Sequence, residues 1–255
     1  MFMKKLLLGL SVFCSLSSFA GVPNLTGIDE TELQGILSDF SSNMVHSTAT
    51  GASSLGKILG FEFGVVASSI EAPKIKEIDS NTDKLANASL YANISIPIGI
   101  GAEALLTPVD VGGLEYKYQS VAFYWSFGSL IGLPFDMKIK AAKTSSELGY
   151  TDSTTNAAVK YEHDGTNLTF SISKSFMVVE PYLGVGRASG DNKFTASLAG
   201  VLTSGAAALG SAGVEKEDTY FFAGIDLNLL LVRIGAEYSN PFDNKKMALR
   251  LAFGF

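Results

Sequence analysis

The sequence predicts an all-β protein, a transmembrane antiparallel β-barrel of about 10–12 strands behind a short N-terminal helical segment. Apolar residues recur at every second position from Gly60 onward. The mean hydropathy is positive, at +0.26, yet no segment after the first twenty residues offers the roughly 18 uncharged apolar residues of a spanning helix. The last alternating run continues to the final residue, Phe255. Strands that are apolar on one side only suit a closed sheet in lipid, because open sheet edges are not tolerated there.

Taken in order, the chain opens with Lys4 and Lys5, the apolar run Leu6–Phe13, and Ser18 and Ala20 before Gly21. A positive start, a short apolar core and a small-x-small exit are the parts of a secretory signal peptide, so residues 1–20 are expected to be removed after Ala20. Cys14, the one cysteine, lies in that segment, so the mature chain is expected to have no thiol chemistry. The 255 residues carry 19 Lys and Arg against 25 Asp and Glu, a net charge of −6 that becomes −8 without Lys4 and Lys5. No basic footprint for nucleic acid is present.

Residues 21–59 are expected to form the N-terminal helical segment. Leu33, Ile36, Leu37, Phe40 and Met44 make one apolar helical stripe, with Asp29, Glu30 and Glu32 in the first turn, where the helix dipole favours acids. Ser41–Gly56 is rich in Ser, Thr, Gly and Ala, and reads as a second short helix or a loop. The segment either plugs or lines a barrel, or covers one end of it.

Residues 60–255 are expected to form the barrel. Phe61, Phe63 and Val65 alternate with Glu62 and Gly64; Ala88, Leu90, Ala92 and Ile94 alternate with Ser89, Tyr91 and Asn93. Pro108–Gly113 reads as a turn. The aromatic-rich stretch Leu114–Gly128 suits strand ends at headgroup depth. Gly132-Leu133-Pro134 turns the chain, and Met137, Ile139 and Ala141 then alternate with Lys138, Lys140 and Ala142. Asp152–Asn156 reads as a loop. His163-Asp164-Gly165 carries the Asp-Gly signal of a hairpin, and Ser189–Asn192 reads as a turn. Ser204–Gly213 reads as part of a long loop or a small helix over the opening, and a tight turn is expected near Asn228. In the last strand Met247, Leu249, Leu251 and Phe253 share one face and Ala248, Arg250 and Ala252 the other.

The candidate lumen-lining charges are Glu62, Lys138, Lys140, Arg187, Glu237 and Arg250, together with Glu103. In a narrow lumen they would need partners, because unpaired buried charges are costly. Such charges either pair into a network that fills the barrel or line a passage for solutes. No catalytic, cofactor-binding or metal-ligating residue is assigned. His46 and His163 lie far apart in sequence, and no Gly-x-Ser-x-Gly elbow is present. The chain is therefore not expected to be an enzyme, and no cofactor is expected.

Phe255 with Phe253 two before it resembles the assembly signal of bacterial outer-membrane barrels, although Arg250 stands where that signal often has glycine. Gly60-Phe61-Glu62-Phe63-Gly64, Ile96-Pro97-Ile98-Gly99-Ile100-Gly101, Gly132-Leu133-Pro134-Phe135-Asp136, Glu180–Gly186 and the terminal strand together look like a little-characterised family of secreted barrels. That family is distantly similar in style to the long-chain fatty-acid transporter group. The resemblance implies the outer membrane of a Gram-negative bacterium, with membrane lipids and the barrel assembly machinery as partners. It places no ligand-binding residue on this chain.

Three functional readings follow. One is transport of a small or hydrophobic solute, with residues 24–59 as plug or gate. The alternative is a structural or adhesive surface barrel with a filled lumen and no transport. The third is a soluble periplasmic lipid-binding β domain.

Overall fold

Side chains of a strand point alternately to its two faces, so runs of period two fold into sheets that separate their residues by parity. The computed structural model of the chain describes residues 30–55, 59–78, 80, 83–111, 114–128, 131–151, 158–197 and 212–254. The expected signal peptide, the loops at 152–156 and 204–211, and Phe255 lie outside these.

The described residues form ten strands: β1 (Gly60–Glu71), β2 (Lys84–Ser95), β3 (Ile100–Val111), β4 (Leu114–Ser126), β5 (Asp136–Thr151), β6 (Ala158–Ser173), β7 (Val179–Ser197), β8 (Ala212–Leu229), β9 (Val232–Ser239) and β10 (Lys246–Gly254). Each pairs antiparallel with the next, and β10 pairs with β1 over Glu62↔Gly254 to Ile70↔Lys246, which closes the sheet. Two helices accompany it, α1 (Glu30–Met44) and α2 (Pro73–Ile78, between β1 and β2).

The two faces are inverted relative to a water-soluble protein. Phe63, Phe123, Leu183 and Phe221 are 57–67% exposed on the outside, whereas Glu62, Glu103, Glu180 and Arg250 are 1–2% exposed within. Burying one large apolar side chain is worth about 1.5–3 kcal/mol, so this outer face would cost tens of kcal/mol in water and is stable in hydrocarbon. The soluble-domain reading required a wet outer face and is corrected by this. The chain is a closed β-barrel with the apolar outer face of a membrane protein.

The barrel's ends differ. One carries the start of β1, the end of β10 and tight connections such as Ile96–Gly99 and Leu230-Leu231. The other carries α2, the 3-10 turn Pro241–Asp243 and the longer connections. Short turns face the periplasm in such barrels and longer loops face outward, so these are the inner and outer ends. Near the outer end the outward residues of β4–β8 change from Phe123, Leu168 and Phe221 to Lys117, Gln119, Asp164, Asp191, Lys193 and Glu215, all exposed. A polar wall therefore rises above the apolar girdle.

Several expected turns are continuous strand. His163-Asp164-Gly165 lies inside β6 and Ser189–Asn192 inside β7, paired with each other from His163↔Asn192 to Thr166↔Ser189. Parity never breaks there. Gly165 and Gly190 serve the ring of His163 instead of a turn: a Cβ on either would fall 2.5–2.6 Å from the imidazole. Pro108 likewise stays within β3, opposite Lys117. The tight turn expected near Asn228 falls at Leu230-Leu231, with Leu230 in the left-handed region. The aromatics of β4 divide by parity. Tyr116, Tyr118 and Tyr124 are buried inside, and Trp125 faces out near the inner end, its Nε1 donating to the Ile98 carbonyl at 3.1 Å.

Candidate functional site in the filled lumen

Residues 36–52 are largely buried, and they run down the inside of the barrel. At the outer end Ile36 packs with Ile70, Ala72, Ile75 and Leu85. Asp39 accepts from the backbone N–H groups of Lys74 and Ile75 at 2.9 and 3.0 Å, which fastens α1 to the first turn of α2. Its other oxygen takes a bond from Asn244 at 3.1 Å. One turn lower, Ser41 donates to Asn192 at 2.9 Å, and Tyr161 and His163 bond the same Asn192 oxygen. Met44 then meets Tyr91, Tyr116 and Tyr118.

A helix end leaves its last carbonyls without intrahelical partners. Here Lys246 of β10 supplies the missing donor, reaching the carbonyls of Asn43 at 3.0 Å and Val45 at 2.6 Å. Beyond Met44 the chain is neither helix nor strand, so its backbone groups lack the regular partners that either would supply. They are met by side chains from the barrel wall. Asn167 donates to the His46 carbonyl, Lys138 to the Gly51 carbonyl and Arg233 to the Leu55 carbonyl. Asp226, Ser173 and Glu180 accept from the N–H groups of Gly51, Ala52 and Ser53. Buried backbone groups must be paired, and the inward charges do much of that pairing.

Two ionic clusters complete the filling. Glu103 accepts from Lys140 at 2.7 Å and Thr48 at 2.8 Å, and lies 3.2 Å from Nε2 of His46, whose Nδ1 meets Ser120 at 2.8 Å. Arg250 pairs with Glu62 at 3.0 Å and Asp226 at 2.6 Å, beside the ring of Tyr91. Each charge of these two clusters thus has a partner of opposite sign, as low-dielectric burial demands, while Lys138, Glu180, Glu237 and Lys246 are met by neutral groups.

The structure places Glu62, Lys138, Lys140 and Arg250 inside, within these contacts, and Glu237 also, accepting from Ser47 at 2.6 Å and Tyr182 at 3.1 Å. Arg187 is a correction. Its side chain is 67% exposed on the outer face, paired with Glu217 at 2.5 Å. Parity requires this, since Leu183 and Val185 on the same strand face outward too. Sequence reading missed Glu180, Asp226 and Lys246. The signal for Lys246 was present, because it shares parity with Ala248 and Arg250.

The packing is close. Among His46, Thr48, Thr50, Lys138, Lys140 and Glu237 a cavity of about 20 Å³ remains. A cavity of that size holds about one water. Gly235 shows the same tightness: a Cβ there would lie 2.0 Å from the Ala49 carbonyl oxygen. Among the described residues, no group of three or more His, Cys, Asp or Glu side chains is arranged to hold a metal ion.

No protein-family model matches the chain, and neither does any curated protein sequence. Among solved structures it is similar to the translocator domain of the autotransporter NalP from Neisseria meningitidis, at 13% identity over 88% of this chain and 95% of that one, with a TM-score of 0.43. It is similar also to Ail, the attachment invasion locus protein of Yersinia pestis, at 15% identity over 77% and 97%, with a TM-score of 0.39. The β-domain of the Bordetella autotransporter BrkA is 12% identical over 78% and 99%, with a TM-score of 0.39. Scores of this size leave the fold resting on the strand register described above.

Proposed function

We propose that this outer-membrane barrel is a structural or adhesive surface protein with a filled lumen, and that it does not transport solutes. The observation that carries the reading is the threaded segment: from Ile36 to Leu55 it occupies the interior, and wall side chains bond its backbone along the way. A solute path would require that segment to leave, with the loss of many buried hydrogen bonds, among them those that His46, Thr48 and Thr50 make to Glu103. Each buried polar group so stranded costs about 1–3 kcal/mol. The polar wall of β4–β8 supplies the surface for contact. Lys160, for example, is held at 2.9 Å by both Glu147 and Glu162, which orders that part of it.

Single-barrel recording in planar bilayers tests this. The intact protein is expected to give no ion-conducting steps, while a chain lacking residues 34–55 gives them because the space is vacated. Steady conductance or solute flux through the intact protein would overturn the reading and restore transport.

A further inference from the structure

We infer that the chain crosses the membrane once inside its own barrel before the first strand begins, so that whatever precedes Glu30 in the processed protein emerges at the cell surface. The order of contacts along the segment carries this. Gly35 lies against the side chain of Lys74 on α2, and Ile36 against Ile70 and Ile75, all at the outer end. Ser42 meets Asn244, and Lys246 holds the carbonyls at the end of α1, at the top of β10. His46 reaches Ser120 and Glu103 in mid-barrel. Ala52 and Ser53 reach Ser173 and Glu180, which lie at the inner ends of β6 and β7. Leu55 meets Arg233 at the inner start of β9, and Gly60 begins β1 at that end. The descent is monotonic.

Length leaves no room for a return. Even a fully extended chain covers at most about 3.3–3.6 Å per residue, so residues 45–55 can span no more than roughly 35–40 Å, close to the thickness of about 30 Å that a bilayer core presents. The stretch from α1 to β1 is used up by one passage. The polarity of α1 agrees: its C-terminal end points into the lumen, where Lys246 meets it, and its N-terminal end is at the outer mouth.

The consequence is a function beyond a closed scaffold. The barrel holds its own amino-terminal end across the membrane and presents it outside, while its carboxy-terminal strand ends at the inner side. With removal of residues 1–20, as the sequence leads one to expect, residues 21–29 are the displayed stretch. Asp39, which ties α1 to α2, and Lys246, which ties it to β10, are the fixings that keep the helix at the mouth.

Cysteine accessibility tests the topology independently of any conductance. A Cys14→Ser chain has no other cysteine, so each introduced thiol reports alone. Single variants Val22→Cys, Asn24→Cys, Lys76→Cys on α2 and Ser175→Cys in the β6–β7 turn are expressed in cells and treated with a membrane-impermeant maleimide before and after permeabilisation, folding being checked by heat-modifiable gel migration. Val22→Cys, Asn24→Cys and Lys76→Cys are expected to label at least tenfold more than Ser175→Cys on intact cells, and all to label alike after permeabilisation. Labelling of Val22→Cys and Asn24→Cys only after permeabilisation, in step with Ser175→Cys, overturns the inference. So does protection of Lys76→Cys with labelling of Ser175→Cys on intact cells, since the barrel would then be inverted. Neither result bears on whether the lumen conducts, so this inference and the proposed function fail separately.

Discussion

Arg250→Met removes the cation that Glu62 and Asp226 share at 3.0 and 2.6 Å. Both carboxylates stay inside, with Glu62 2% and Asp226 4% exposed. Breaking a buried ion pair by deleting one partner costs about 3–5 kcal/mol, because the other charge is stranded. That corresponds to a loss of ~10²–10³-fold or more in the folding equilibrium. The assay is guanidinium unfolding of the barrel reconstituted in lipid vesicles, followed by tryptophan emission and heat-modifiable migration. The triple change Arg250→Met, Glu62→Gln, Asp226→Asn removes all three charges, and it is expected to recover most of the loss, since a neutral set is nearly as stable as a paired one. Arg187→Ala, on the outer face, is expected to leave the unfolding midpoint unchanged, because exposed pairs are screened. Equal effects of Arg250→Met and Arg187→Ala would refute the assignment of Arg250 to the interior network. Failure of the triple change to recover would refute the ionic explanation of its cost.

Other perturbations follow from the same geometry. Gly235→Val places side-chain atoms where the Ala49 carbonyl lies, and is expected to push the threaded segment off the wall, seen as new protease cleavage between residues 45 and 55. Lys246→Met strands the carbonyls of Asn43 and Val45; a loss of about 1–3 kcal/mol is expected, measured in the same unfolding assay. Leu251→Arg puts a charge on the lipid face between Val65 and Ile234, with a cost of about 2–4 kcal/mol near the bilayer midplane, whereas Gln119→Arg, on the polar wall, is expected to be tolerated.

Much of the barrel was legible because parity is a geometric rule with two outcomes. Phe61–Val66, Ala88–Asn93 and Met247–Ala252 declare their faces from sequence alone, and Glu62, Lys138, Lys140 and Arg250 lie inside as their parity requires. Residue chemistry misleads where it runs against parity. The charge of Arg187 argues for the inside, but Leu183 and Val185 fix its face outward. The dipeptide Asp164-Gly165 argues for a turn, but Tyr161, His163, Gly165 and Asn167 keep one parity throughout. A glycine that makes room for a ring across the sheet cannot be told locally from a glycine that permits a turn. Pairings such as Lys140 with Glu103 join residues 37 apart in the chain, and no local pattern announces them.

The stretch Ser41–Ser53 shows why the lumen itself was hard to read. Small hydroxyl and glycine residues are what a solvent-exposed loop would have, and they are also what a narrow polar tube demands. In the barrel each has a specific reason. Gly51 faces Glu180 so closely that a Cβ would lie 2.3 Å from its oxygen, and Thr48 and Thr50 fit beneath Lys140 and donate to Glu103. A buried segment that is neither helix nor sheet must find donors and acceptors for its backbone elsewhere, and a wall of Lys, Arg, Asn, Asp and Glu side chains provides them at adjustable reach. The charged interior and the bland segment are therefore complementary halves of one arrangement. Each would be less stable in lipid without the other: the wall for want of the neutral groups that Glu103, Glu180, Lys138 and Lys246 bond on the segment, the segment for want of backbone bonds. Loss of the segment should then weaken the barrel as well as open it, and a chain without residues 34–55 that unfolded at the same guanidinium midpoint as the intact protein would contradict that dependence.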